Sequence, residues 1–144
     1  MPLLFVETSV SEQRVELCRH ADRLFGEGRK VEIVVDSTSA AQYIDQLLWT
    51  FSQASFVPHA VFNPETGGPG DEPVLICIGE RLIEGFDALL CDAPVGLEFM
   101  GRFETAVHFV LRDDPERRQQ SRLLWQKARD LGLSPVHISY ARPA

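Results

Sequence analysis

The chain is short of the residues by which chemistry is most easily read. Its 144 residues include three cysteines, Cys18, Cys77 and Cys91, with no Cys-x-x-Cys pair. An odd and dispersed set disfavours both a disulfide framework and a thiolate metal site. Cys77 lies inside Val74-Leu75-Ile76-Cys77-Ile78 and Cys91 follows Leu89-Leu90, so the thiols read as reduced, small core hydrophobes. The four histidines, His20, His59, His108 and His137, are scattered without metal-ligand spacing, and no Gly-x-Ser-x-Gly elbow presents a nucleophile. No cofactor is expected. No run approaches the 18 apolar residues of a membrane span, and the N-terminus lacks the charged-then-apolar pattern of a signal peptide. A cytoplasmic protein with no membrane contact is the expectation.

Positive charge is scarce too. Fourteen Lys and Arg stand against 21 Asp and Glu, a net charge of −7. Affinity for phosphate backbones comes from clustered cations under a favourable overall field, so little direct nucleic-acid binding is expected.

What is present suits a folded domain. The hydrophobic fraction of 44% and charged fraction of 24% are those of a soluble globular protein, and the length matches one domain covering 1–144. Leu3 to Val6 reads as a buried strand, followed by a helix capped by Ser9 or Ser11, with Leu17, Ala21 and Leu24 at helical spacing and Gly26 and Gly28 as the stop. Val31 to Val35 is a β-branched strand. Asp36 to Thr38 cap a second helix that carries Ala41, Ile44, Leu47, Leu48 and Trp49. Ser55-Phe56-Val57-Pro58-His59 is a loop or edge strand, because proline cannot donate to a central ladder.

Asn63 to Pro73 is an exposed loop, Pro73 to Ile78 a strand, and Phe86 to Cys91 another. Phe103 to Leu111 fits either period, with strand favoured in its C-terminal half. Asp113-Asp114-Pro115-Glu116 starts a helix that Gly132 closes, and Val136 to Tyr140 is a final strand. Alternating strands and helices predict a single three-layer α/β/α domain with a largely parallel, Rossmann-like sheet. That sheet lacks a phosphate-binding loop, since neither Gly-x-Gly-x-x-Gly nor Gly-x-x-x-x-Gly-Lys-Ser/Thr occurs. Gly67-Gly68-Pro69-Gly70 reads as a turn.

Two constellations remain. Six of the 14 basic residues fall between Arg112 and Arg129. At about 100° per residue, Arg118, Arg122, Trp125 and Arg129 share one stripe of the last helix, while Leu124, Ala128 and Leu131 form a separate apolar face. Guanidinium groups beside an indole suit an acidic peptide carrying an apolar side chain. A solvated basic face with Trp125 tucked against the sheet explains the same pattern. Phe56-Val57-Pro58, near Trp49, is either an interface anchor or part of the core.

Leu47-Leu48-Trp49, Ser55 to His59, the Pro73-Val74 strand and Arg122-x-x-Trp125-x-x-x-Arg129-x-x-Gly132 together resemble the chi subunit of bacterial DNA polymerase III holoenzyme, nearly end to end. The resemblance implies a non-catalytic accessory subunit of the clamp-loader complex, active in DNA replication. It would bind the psi subunit on one side and the acidic C-terminal tail of single-stranded DNA-binding protein on the other. Arg122 would meet the tail's terminal carboxylate, with Arg118, Arg129, Trp125 and Val110 lining the site; Phe56, Trp49 and Pro58 would face psi. The psi-facing surface also takes an iron–sulfur helicase in some members, which makes a helicase-associated adaptor in DNA repair an alternative. Gln126 stands where the family pattern has a basic residue, and Trp125 where tyrosine is more usual, so weaker or more salt-sensitive tail binding is expected. The rival class is a small nucleotide- or phosphate-metabolising enzyme with Asp36 and His59 as its suspect residues.

Overall fold

The central strands show no polar alternation, which is the pattern of a parallel sheet covered on both faces. Val31–Val35 is buried at every position, Glu32 included. The computed structural model describes residues 3–66 and 71–140. Its strands are β1 (Leu3–Thr8), β2 (Val31–Val35), β3 (His59–Val61), β4 (Val74–Ile78), β5 (Ala88–Cys91), β6 (Thr105–Leu111) and β7 (Val136–Ile138). The helices are α1 (Gln13–Gly26), α2 (Thr38–Thr50), α3 (Leu97–Met100) and α4 (Pro115–Asp130). All neighbouring strands run parallel, in the order β3-β4-β2-β5-β6-β1-β7.

On one face, Leu17, Ala21 and Leu24 of α1 and Ala41, Ile44 and Leu48 of α2 pack on Val31, Ile33, Val35 and Val107. On the other, α3 and Ala128 of α4 cover Leu3, Phe5, Val34, Leu89 and Ala106. Among the described residues no helix covers Leu75 and Cys77 there; Phe86 and the partly buried Ile83 close that corner from a loop. The sheet is therefore three-layered, as expected, but its second layer is helical over only part of its width.

Helices α1 and α4 end by the same device. Arg29 N–H donates to the Leu24 carbonyl and Leu133 N–H to the Ala128 carbonyl, each at 3.0 Å, across Gly28 and Gly132 at φ +79° and +77°. Those are left-handed conformations that a Cβ would strain.

Several boundaries differ from the sequence reading. Neither Ser9 nor Ser11 caps α1. Its cap position is Glu12, without a side-chain bond, because the Ser9 carbonyl already accepts from the Glu12 and Gln13 amides in a preceding turn. Within Asp36 to Thr38, Ser37 alone is the cap, its Oγ accepting from Ala40 N–H at 3.1 Å, and Asp36 is exposed. The strand after Pro58 begins at His59, and β6 is extended from Thr105 because it is paired on both sides, with β1 and β5. β5 starts two residues later than expected, β7 stops at Ile138, and the four-residue α3 has no signal in the periodicity. The turn at 67–70 lies outside the described residues.

Candidate functional site

The last helix starts where its sequence says it should. The Asp114 carboxylate accepts from Arg117 N–H at 3.1 Å, Pro115 needs no partner at the first turn, and Glu116 adds negative charge at the positive dipole end. This fixes the phase of α4. Ser121 and Ala128 turn inward, and Arg118, Arg122 and Arg129 stay exposed on one side. Among the described residues, none of these three arginines makes an ion pair within the chain.

The expectation of two separate faces on α4 needs correcting. Trp125 is half-buried and packs on the core, its ring edge-on to Phe5 at 5.1 Å and 88°. Leu131 falls just past the helix end and is 61% exposed, so it is not part of the apolar face. The arginine stripe and the packing surface meet at one indole.

Beneath α4, His108 of β6 is buried, with Nε2 2.8 Å from Ser121 Oγ and its ring tilted on Phe5 at 4.9 Å. Burial pushes its pKa down to about 4, and the nearby Arg117 charge pushes the same way. His108 is therefore a neutral strut between sheet and helix, seating the α4 wall.

Wall and sheet enclose a groove of about 620 Å³, whose sides are Arg118, Ser121, Arg122, Trp125, Gln126, Arg129 and Asp130 and whose floor is Phe5, Glu7, Val110 and His137. All five residues expected at the tail site, Arg122, Arg118, Arg129, Trp125 and Val110, line it. Phe5, Glu7 and His137 do too, and sequence reasoning missed them. The register places Glu7 beside Val110 and Phe5 beside His137, information that no local pattern holds.

The other candidate surface is built on an irregular segment. Val57 is fully buried in the core beside α1 and α2, and Ser55 Oγ donates to the Asp22 carboxylate at 2.8 Å. With the chain pinned on both sides, Phe56 is forced outward and is 68% exposed, so it is not a core residue. Its ring lies 5.7 Å from that of Trp49, itself 48% exposed, and Trp49 rests on His59 at 4.4 Å. Pro58 is partly buried between Val57 and His59.

His59 is occupied by structure. Its ring nitrogens lie 2.7 Å from the Val57 carbonyl and 3.0 Å from the Asp45 carbonyl, with the Asp45 carboxylate at 3.1 Å. The register sets His59 level with Val74 and Val31 at the amino end of the sheet, while Asp36 follows β2 at the carboxyl end. Five residues at about 3.3 Å each separate the two levels, so Asp36 and His59 do not share a site.

Cys18, Cys77 and Cys91 are all buried, and desolvation raises each thiol, to about 12 for Cys18 and Cys77. Among the described residues no group of three or more His, Cys, Asp or Glu could hold a metal, and no helix is long and apolar enough to cross a membrane.

The class these features define is a parallel α/β domain with an arginine-walled groove on one outer helix and an aromatic knob near the opposite sheet edge. Solved structures of similar fold include a DEAD-box helicase domain 2 of Mss116p bound to an RNA duplex, with TM-score 0.68 and 12% identity over 98% of this chain, and T4 UvsW, with 0.67 and 7% over 96%. The chain spans 64% and 40% of those chains, and identities this low speak for the fold alone. The family model for the DNA polymerase III chi subunit, HolC, matches residues 2–136. The DNA polymerase III subunit chi of Haemophilus influenzae is 31% identical over 103 residues, 71% of this chain and 70% of that protein. The chain belongs to the DNA polymerase III chi subunit family, whose members are accessory subunits of a replicative polymerase.

Proposed function

We propose that this protein is a non-catalytic cytoplasmic adaptor of the clamp-loader complex, acting as one chi-like domain without a cofactor. In this reading the α4 groove takes the acidic C-terminal tail of single-stranded DNA-binding protein, and Trp49, Phe56 and Pro58 take the psi subunit. One observation carries it: three exposed arginines, without an ion pair among the described residues, line the same groove as Trp125 and the Phe5 ring. Guanidinium groups bind carboxylates bidentately, and a partly apolar floor accepts a terminal aromatic side chain. Arg122, midway along the wall, is assigned the terminal carboxylate.

The test is titration with a synthetic acidic peptide ending in phenylalanine with a free carboxylate. Micromolar-range binding that weakens with salt is expected, because the arginines are exposed. Unchanged binding by Arg122→Ala would sink the assignment. For the second surface, psi should co-purify with the parent protein and not with Phe56→Ala.

A further inference from the structure

An anion-binding groove has no obvious use for carboxylates, yet this one contains two, Glu7 from β1 and Asp130 from the end of α4. Asp130 is exposed at the helix terminus. Glu7 belongs to the floor, and its Oε2 lies 3.4 Å from His137 Nε2 on β7. Around His137, β1 contributes Glu7, α4 contributes the Trp125 ring at 6.5 Å, and Arg118, Arg122, Arg129 and Asp130 line the rest of the groove. Among the described residues β7 ends the sheet, and no strand covers its other edge.

We propose that Glu7 and His137 form a charge gate in the tail-binding groove, in which Glu7 opposes an acidic peptide and protonated His137 cancels that opposition. The inference rests on the reading of the groove as the tail site. The sign follows from the charges. With neutral His137, the floor presents a net negative charge to a ligand whose own carboxylates are seeking the arginine wall. With charged His137, the floor is neutral and the wall acts unopposed. Histidine changes charge between about pH 5 and 8, and an anionic ligand favours its protonated form, so capture strengthens as pH falls. The pair is partly exposed, which limits the coupling to the range of surface ion pairs.

The experiment is fluorescence anisotropy of the labelled acidic, phenylalanine-terminated peptide from pH 8 to pH 6 at constant ionic strength. The full chain is compared with Glu7→Gln and His137→Gln. The parent protein should bind about threefold tighter at pH 6 than at pH 8. Glu7→Gln should bind at pH 8 about as tightly as the parent does at pH 6, and still tighten as pH falls, because His137 continues to gain a positive charge beside the arginine wall. His137→Gln should stay at the weaker level throughout, which separates His137 from the other three histidines. Peptide binding that is flat in pH and indifferent to Glu7→Gln overturns the gate and leaves the tail site standing. Absence of peptide binding at every pH overturns both.

Discussion

The two ends of the sheet carry exposed surfaces of opposite kinds. At the β6-β1-β7 end, the proposed recognition surface is spread along a regular helix, with several exposed charges above a floor set by strand register. At the β3-β4-β2 end the exposed surface is two rings, Trp49 at the end of α2 and Phe56 on an irregular segment, the latter pushed outward because Val57 and Ser55 are anchored inward. A charged, distributed surface loses affinity gradually with salt and substitution, whereas an aromatic knob is lost with one residue. The interiors beneath them differ in the same sense. His108 is kept neutral under α4, while Glu32 is fully buried on β2, where burial pushes its pKa up to about 7 against a smaller pull from the Arg81 backbone N–H and side-chain charge.

The largest expected effects concern these two buried groups. Glu32 rises from 4.5 to about 7, so its contribution to stability is complete below pH 4.5 and is lost as pH climbs through 7. His108 falls from 6.5 to about 4, so its contribution is complete above pH 6.5 and is lost as pH drops through 4. Each swing is at most about 3 kcal/mol, and over the shared window the slopes oppose. Chemical denaturation of the parent protein should therefore vary little between pH 4.5 and 6.5. Glu32→Gln should become steadily more stable over that range as pH rises, and His108→Gln steadily less. Parallel curves for all three proteins would show that neither group is perturbed.

Next is Phe56→Ala, which should cost about 2 kcal/mol of psi affinity, roughly thirtyfold, with no change in melting temperature, since the ring is exposed. A drop in melting temperature would mean that Phe56 supports the fold, erasing the contrast between the two ends. Arg122→Ala should weaken peptide binding about tenfold and flatten its salt dependence. Psi binding measured in the same salt series should hardly move. The smallest effect expected is from Gln126→Lys, which adds a charge to the groove wall and should tighten the peptide about threefold. A loss of affinity there would mean that Gln126 makes a contact of its own.

Much of the fold was legible because it rests on local rules. The Asp114-Pro115 start and Gly132 stop of α4 need only capping and left-handed backbone, and the arginine stripe needs only the helical period. The failures also have physical causes. α3 is one turn long, too short for periodicity. Ser9 and Ser11 look like caps, but a carbonyl turn satisfies the same amides first. Trp125 could not be assigned to core or surface, because a helix pattern fixes angles between side chains without saying how far the neighbouring sheet reaches. Phe56 was equally open until Val57 was seen to be the inward anchor.

The sequence by itself therefore determined the strands and helices in outline, the concentration of arginines on one helix and the want of a phosphate loop. Tertiary structure decided which strands are neighbours. β1 lies between β6 and β7, pairings that span most of the chain, and only they bring Phe5, Glu7 and His137 beneath the arginine wall. The reason is one of range. Capping and periodicity are settled within a few residues, whereas register follows from crossover connections and from which apolar faces can be buried together.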